Sequence, residues 1–225
     1  MIAYDNDVRR DLRTNCVLNI MRILKAYNPG DSYYEEYLKK VKKFGSEFYD
    51  IYLKMWEIGS TDIPPKRILE VGTRTGISLC QLLSSYRDHS VIERIVSIDP
   101  FDSFTGPNLV RANMRRLNLP HEKVEFIVGK SQDELPKLIK ESAQFDYILI
   151  DGDHSKVVAA EDLHLAYLLL APGGVILFDD IATHPGECGL IDVWEDFVAQ
   201  NKFLHHSENM NGKGTAMAIK AVEAL

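Results

Sequence analysis

Two short acidic stretches carry the densest potential for chemistry in this chain, Asp151-Gly152-Asp153-His154 and Asp179-Asp180. Each follows directly on an apolar run of strand length, YILI at 147–150 and VILF at 175–178. If those runs lie side by side as parallel strands, the carboxylates of Asp151, Asp153, Asp179 and Asp180 meet the His154 imidazole at one rim. Like charges packed that closely need protons or a cation between them. A divalent ion is the economical answer, and hard oxygen ligands with places left for water and substrate favour Mg²⁺, with Mn²⁺ and Ca²⁺ as alternatives. Alone, an Asp-His step is more often surface structure, and Asp179-Asp180 is as compatible with a solvated loop. Their coincidence at neighbouring strand ends is what carries weight.

A second constellation opens the same region. The run ILEV at 68–71 leads straight into Glu70-Val71-Gly72-Thr73-Arg74-Thr75-Gly76, with a helical pattern immediately after it. Glycines at such a turn let a ligand approach the backbone and let the helix pack tightly. A dinucleotide fingerprint would be G-x-G-x-x-G; here Arg74 replaces the middle glycine and the remaining pair is spaced G-x-x-x-G, which disfavours NAD and FAD. A nucleoside without phosphates does not need that glycine. It does want a carboxylate after the second strand to accept hydrogen bonds from ribose hydroxyls, and Asp99 stands there.

The elements that must position these residues follow from periodicity. The runs at 68–71, 95–98, 124–128, 147–150 and 175–178 are predominantly apolar, with Glu70, Ser97 and Glu125 as single interruptions, close to what strands covered on both faces require. Helical stretches lie between them, at about 76–86, 105–117, 131–141, 155–170 and 188–200. Two more strand candidates, Phe203–Ser207 and Thr215–Val222, flank the turn-rich Asn209–Gly214 and read as a hairpin. The fold class is therefore α/β, a doubly wound, mostly parallel seven-stranded sheet. Ligands in such sheets sit outside the carboxyl ends of the strands near the switch point in strand order, where both constellations fall.

Before this domain, residues 63–225, comes an N-terminal helical extension, residues 1–62, jointed at Ile63-Pro64-Pro65. Val17–Tyr27 forms a weaker helical pattern, and Tyr37, Val41, Phe44, Phe48, Ile51 and Met55 share one helical face. The aromatic stripe Tyr33, Tyr34, Tyr37, Phe44 and Phe48 is most economically core against the sheet domain, with a cap over the site or a homodimer contact as the alternative. The KKVKK run at 39–43 reads as a solvated helix face.

Composition narrows the function classes. With 45% hydrophobic and 26% charged residues in 225, the chain is an ordinary globular one. The 26 Lys+Arg against 33 Asp+Glu give a net charge of -7, which works against nucleic acid or anionic lipid as a partner. No apolar run approaches the roughly 18 to 20 residues that cross a bilayer, and the charged opening MIAYDNDVRRDLR is unlike a secretory signal, so a cytoplasmic protein is expected. Cys16, Cys80 and Cys188 form no C-x-x-C pair and suit reduced thiols. His184 reads as an exposed loop residue, with reach to the same rim as the alternative, and Met210–Gly214 as a turn, with a place at the substrate entrance as the alternative.

Five segments in order, EVGTRTGIS (70–78), SIDP (97–100), VGKSQDELPKL (128–138), FDYILIDGDHS (145–155) and LLAPGGVILFDDI (169–181), make residues 67–222 resemble the class I S-adenosylmethionine-dependent methyltransferases. The likeness is to small-molecule O-methyltransferases, of the catechol type and of the metal-dependent sugar and antibiotic-tailoring type. The resemblance implies that Glu70, Gly72, Thr73 and Gly76 form the loop beneath the methionine half of the cofactor, with Ser78 placed for its carboxylate. It implies Asp99 at the ribose, Gly129, Ser131 and Gln132 around the adenine, and Asp151 near both the cofactor's amino group and a metal. It implies further that Asp151, Asp179 and Asp180 hold that metal, Mg²⁺ or another divalent cation. Arg74 departs from many methyltransferases, which have another glycine there.

Methyl transfer to oxygen needs an acceptor hydroxyl that is aligned and losing its proton, and a metal-bound hydroxyl meets both demands. Asp153 and His154 are the base candidates. The histidine reference pKa of about 6.5 suits proton uptake at neutral pH, while Asp153 needs raising by burial or by its neighbours. The leading expectation is metal-assisted O-methylation of a hydroxylated small molecule. Its rivals are a methyltransferase without metal that uses Asp153 or His154 alone, an NAD-dependent oxidoreductase, and a cofactor-binding protein without turnover.

Overall fold

The apolar runs become strands because helices cover both of their faces. The computed structural model describes residues 22–23, 50–101, 105–183 and 189–222. Helix α1 (Asp50–Gly59) precedes β1 (Arg67–Val71), α2 (Ile77–Ser84), β2 (Arg94–Asp99), α3 (Pro107–Arg116) and β3 (Val124–Val128). Then come α4 (Ser131–Lys140), β4 (Phe145–Ile150), α5 (Lys156–Leu169), β5 (Leu170–Asp179), α6 (Ile191–Gln200), β6 (Phe203–Asn209) and β7 (Thr215–Lys220).

The sheet runs β3-β2-β1-β4-β5-β7-β6. Strands β1 to β5 are mutually parallel, with Leu69 level with both Val96 and Ile148, while β7 is antiparallel to β5 and to β6. Alternation along each strand divides the core into two layers. Ile68, Ile95, Tyr147, Leu149 and Leu177 pack with Met55 of α1, Leu79 and Leu83 of α2, and Val110 and Met114 of α3. On the opposite face Leu69, Val96, Ile148 and Ile176 pack with Leu135 of α4, Leu163 and Ala166 of α5, and Trp194 of α6. The seven-stranded, doubly wound α/β expectation holds.

Strand β5 departs from the expected 175–178 by reaching back through Pro172-Gly173-Gly174 to Leu170, directly after α5, with a register shift opposite Phe145 and Tyr147. The hairpin forms, but its second strand inserts between β5 and β6. This order puts the β6–β7 turn beside the end of β5. Of the N-terminal helices, Arg22, Ile23 and α1 fall among the described residues. Ile23, Ile51 and Met55 are buried in the first layer, and Arg22 Nη2 donates to the Leu117 carbonyl at 3.0 Å. Tyr33, Tyr34, Tyr37, Phe44, Phe48, the run at 39–43, Cys16, Cys188 and His184 lie outside the described residues.

Candidate active site

The chain leaves β1 in one direction to build β2 and β3, then returns to place β4 on the other side of β1. The crevice between the diverging loops is where ligands bind in such sheets. A cavity of about 900 Å³ opens there, lined by the loop after β1, the ends of β2 and β4, the start of α4 and the β6–β7 turn.

Gly72 makes the crevice geometrically possible. Its φ is +91°, and a Cβ on it would stand 1.8 Å from the Asp151 carbonyl oxygen. Asp151 N–H donating to Val71 at 2.9 Å holds the ends of β1 and β4 that close, and Gly72 N–H donating to Ile98 at 2.9 Å ties the same loop to β2. Gly76, at φ +80°, caps α2 where a Cβ would meet Val110 Cγ1 at 2.4 Å. The nearest demand on both glycines is thus the approach of this chain's own neighbouring elements.

Asp99 is anchored by backbone, with Oδ2 accepting from Arg74 N–H at 2.8 Å and Oδ1 from Phe101 N–H at 2.6 Å. Both donors sit in left-handed backbone, at φ 50° and 46°, which turns their N–H groups inward onto the carboxylate. Across the cavity, Gly129 N–H donates to the Asp99 carbonyl at 3.1 Å, so the β2 and β3 ends are tied together, and α4 starts at Ser131.

Of the residues expected at the cofactor, Gly72, Thr73, Ser78, Asp99, Gly129, Ser131, Gln132 and Asp151 line the cavity. Glu70 and Gly76 stand behind its wall. Glu70 is 1% exposed and one of its carboxylate oxygens has no partner. Burial pushes it up to about 8, against hydrogen bonds from the Thr73 hydroxyl and the Leu79 N–H. Thr73 in turn shares a short hydrogen bond with Ser97. Glu70 therefore braces the loop from beneath.

The acid cluster assembles at the far end of the same cavity. Ligand atoms of Asp151, His154 and Asp180 lie within 4.8 Å of one another. His154 Nε2 is 3.0 Å from Asp180 Oδ2, and Lys213 Nζ is 2.8 Å from Asp180 Oδ1. Asp179 Oδ1 accepts from Thr215 Oγ1 at 3.2 Å. Asp151, Asp179, Asp153, His154 and Lys213 line the cavity, whereas Asp180 is buried just behind them. Burial and the charges of Asp179 and Asp180 push Asp151 well above the usual carboxylate range. Burial and Asp180 raise Asp179 to about 6. Burial opposes charge on Asp180 as well, but His154 and Lys213 outweigh it and bring the group down to about 2. Three aspartates offering hard oxygen donors at one end of the cavity suit a divalent cation of the Mg²⁺ or Mn²⁺ kind.

Asp153 differs from its neighbours. It is exposed, its Oδ1 accepts from Ser155 N–H at 2.7 Å, and the Ser155 hydroxyl and N–H hold it below the usual carboxylate range. That is the direction opposite to what a base needs.

Sequence reasoning missed Lys213, which sits in the stretch read as a plain turn. The missing signal was pairing order: antiparallel register sets Asp179 against Thr215, and Ala182 N–H donates to the Lys213 carbonyl at 2.8 Å, so the turn folds over the acids. Asp162 was missed too. It is fully buried on α5 with Oδ2 under Gly152, and burial raises it to about 6.

The chain belongs to the methyltransferase-domain family, whose match covers residues 69–181, from β1 to just past Asp180. It is 27% identical over 138 residues to the probable caffeoyl-CoA O-methyltransferase 3 of Dictyostelium discoideum, covering 60% of this chain and 49% of that protein. This chain spans about half the length of the curated relatives it matches. Two solved structures share its fold. The Streptomyces achromogenes O-methyltransferase TomG, involved in tomaymycin synthesis and solved with S-adenosylmethionine, superposes with a TM-score of 0.58 at 22% identity, over 76% of this chain and 78% of its own. The Podospora anserina methyltransferase PaMTH1, solved with S-adenosylhomocysteine, gives 0.63 at 17% identity over 99% of both chains. No helix among the described residues is long and apolar enough to cross a membrane.

Proposed function

We propose that the protein transfers a methyl group from S-adenosylmethionine to a hydroxyl of a small molecule, assisted by a divalent cation. The observation that carries this reading is that one cavity joins the nucleoside-sized crevice at Gly72, Asp99 and Ser131 to the acids Asp151 and Asp179. The names of the Dictyostelium and Streptomyces relatives, both O-methyltransferases, support it.

When bound, S-adenosylmethionine supplies an electrophilic methyl on a cationic sulfonium. Asp99, held rigid by two backbone donors, would accept hydrogen bonds from ribose hydroxyls; Gly129, Ser131 and Gln132 would hold the adenine, and Ser78 and Thr73 the methionine end. Asp151, Asp179 and Asp180 would hold the metal, which when bound lowers the pKa of an acceptor hydroxyl and fixes its direction. His154 lines the cavity and takes the acceptor proton, backed by Asp180, whose low pKa keeps it anionic to support an imidazolium. Asp153 is committed to the turn entering α5. Ile51, Phe101 and Val158 give the wall apolar surface for the acceptor's body.

A second reading, transfer without metal and with His154 as the base, draws support from the ammonium already at Asp180. Turnover of S-adenosylmethionine against a panel of phenols and sugar hydroxyls, with and without EDTA and added Mg²⁺, separates the two. Loss on chelation with rescue by Mg²⁺ is expected, and activity indifferent to EDTA selects the second reading. Failure of S-adenosylhomocysteine to bind would refute both.

A further inference from the structure

The acid cluster needs positive charge, and the chain already carries some to it. Lys213 Nζ lies 2.8 Å from one oxygen of Asp180 and His154 Nε2 lies 3.0 Å from the other, so both oxygens of this carboxylate are engaged by the protein's own nitrogens. The contact is built in. Gly214 at φ +76° turns the chain tightly, and a Cβ there would stand 2.6 Å from the Ala182 nitrogen, so turn and β5 exit are in contact at backbone level. Ile181 N–H donates to the Gly214 carbonyl at 3.3 Å and Gly214 N–H to Asn211 at 3.0 Å. Yet the lysine side chain is 42% exposed against 3% for that of Asp180, so the ammonium can leave for solvent without moving the backbone, while the carboxylate cannot.

We propose that Lys213 is the resident counter-ion of the acid cluster and sets its affinity for divalent cations. A cation that uses Asp180 must displace the ammonium from Oδ1 and then sits with that positive charge nearby, and both effects weaken binding. Neutralised in part by its own lysine, the cluster can stay folded without metal, so the cation binds reversibly and in competition with the side chain. This rests on the reading of Asp151, Asp179 and Asp180 as a metal site.

Titration of Mn²⁺ into the full-length protein, followed by calorimetry and by loss of the free-ion paramagnetic resonance signal, tests it on the wild type, Lys213→Met, Lys213→Gln and Lys213→Arg. The two neutral variants are expected to bind Mn²⁺ at least about tenfold tighter than wild type, with the arginine variant unchanged within about threefold. Equal or weaker binding by both neutral variants overturns the role of Lys213 while leaving the metal site standing. Absence of Mn²⁺ binding in every protein overturns the metal reading and this inference together. Binding of S-adenosylhomocysteine by the same samples reports the cofactor crevice and correct folding independently.

Discussion

Replacing Gly72 by alanine tests the geometry on which the crevice depends. The added methyl would stand 1.8 Å from the Asp151 carbonyl oxygen and 2.4 Å from its carbonyl carbon. Ordinary carbon contact distances require the ends of β1 and β4 to separate by roughly 1.5 Å or more. Left-handed backbone at φ +91° costs an L-residue about 1 to 2 kcal/mol. Forced overpacking adds about 1 to 3 kcal/mol. The hydrogen bonds Asp151 N–H to Val71 and Gly72 N–H to Ile98 flank the clash, and weakening one adds about 1 kcal/mol. The sum is about 3 to 6 kcal/mol, which in a domain of this size lowers Tm by about 6 to 24 °C. Gly76→Ala is the matched control. It meets the Val110 side chain, which can rotate where a backbone carbonyl cannot, so about 2 kcal/mol is expected. Urea unfolding followed by tryptophan fluorescence gives both values, and titration with S-adenosylhomocysteine should show at least about a tenfold loss for Gly72→Ala. A Gly72→Ala protein within about 1 kcal/mol of wild type, or less damaged than Gly76→Ala, would refute the reasoning.

Glu70, raised to about 8 by burial, binds a proton in the folded chain that it releases when unfolded, so stability falls as pH rises from its unfolded value through about 8. Glu70→Gln should remove about 3 to 5 kcal/mol of that decline between pH 5 and pH 9 in urea titrations; parallel curves for the two proteins would contradict it. Asp99→Ala should weaken S-adenosylhomocysteine binding about 10- to 100-fold by calorimetry, for loss of a charge-assisted hydrogen bond and of the loop's anchor, and an unchanged affinity would remove Asp99 from the ribose. His154→Ala should lower kcat about 10²- to 10⁴-fold while Asp153→Asn costs less than about tenfold; the reverse ranking would hand the base to Asp153.

Much of the fold was legible because a parallel strand buried on both faces must be mostly apolar, and ILEV, IVSI and YILI, interrupted only by Glu70 and Ser97, say so without reference to any partner. The amphipathic stretches between them had to be helices for the same reason, since something must cover each face. Cavity-lining residues at Gly72, Asp99, Ser131 and Asp151 were legible because strand ends in a doubly wound sheet converge at the switch point wherever the intervening loops lead. Glu70 was legible as part of the loop, but its position beneath the wall depends on the Thr73 and Leu79 contacts, which pattern does not encode.

The amino-acid order alone settled which segments become strands and helices and which strand ends carry acid, because hydrophobic period and turn chemistry are local properties. Tertiary structure decided what those acids face. Only the insertion of β7 between β5 and β6 brings Lys213 to Asp180, and only the cap at Ser155 takes Asp153 away from proton transfer. Charge compensation acts across a few ångströms between residues distant in the chain, and that separation exists only after the sheet has closed around them.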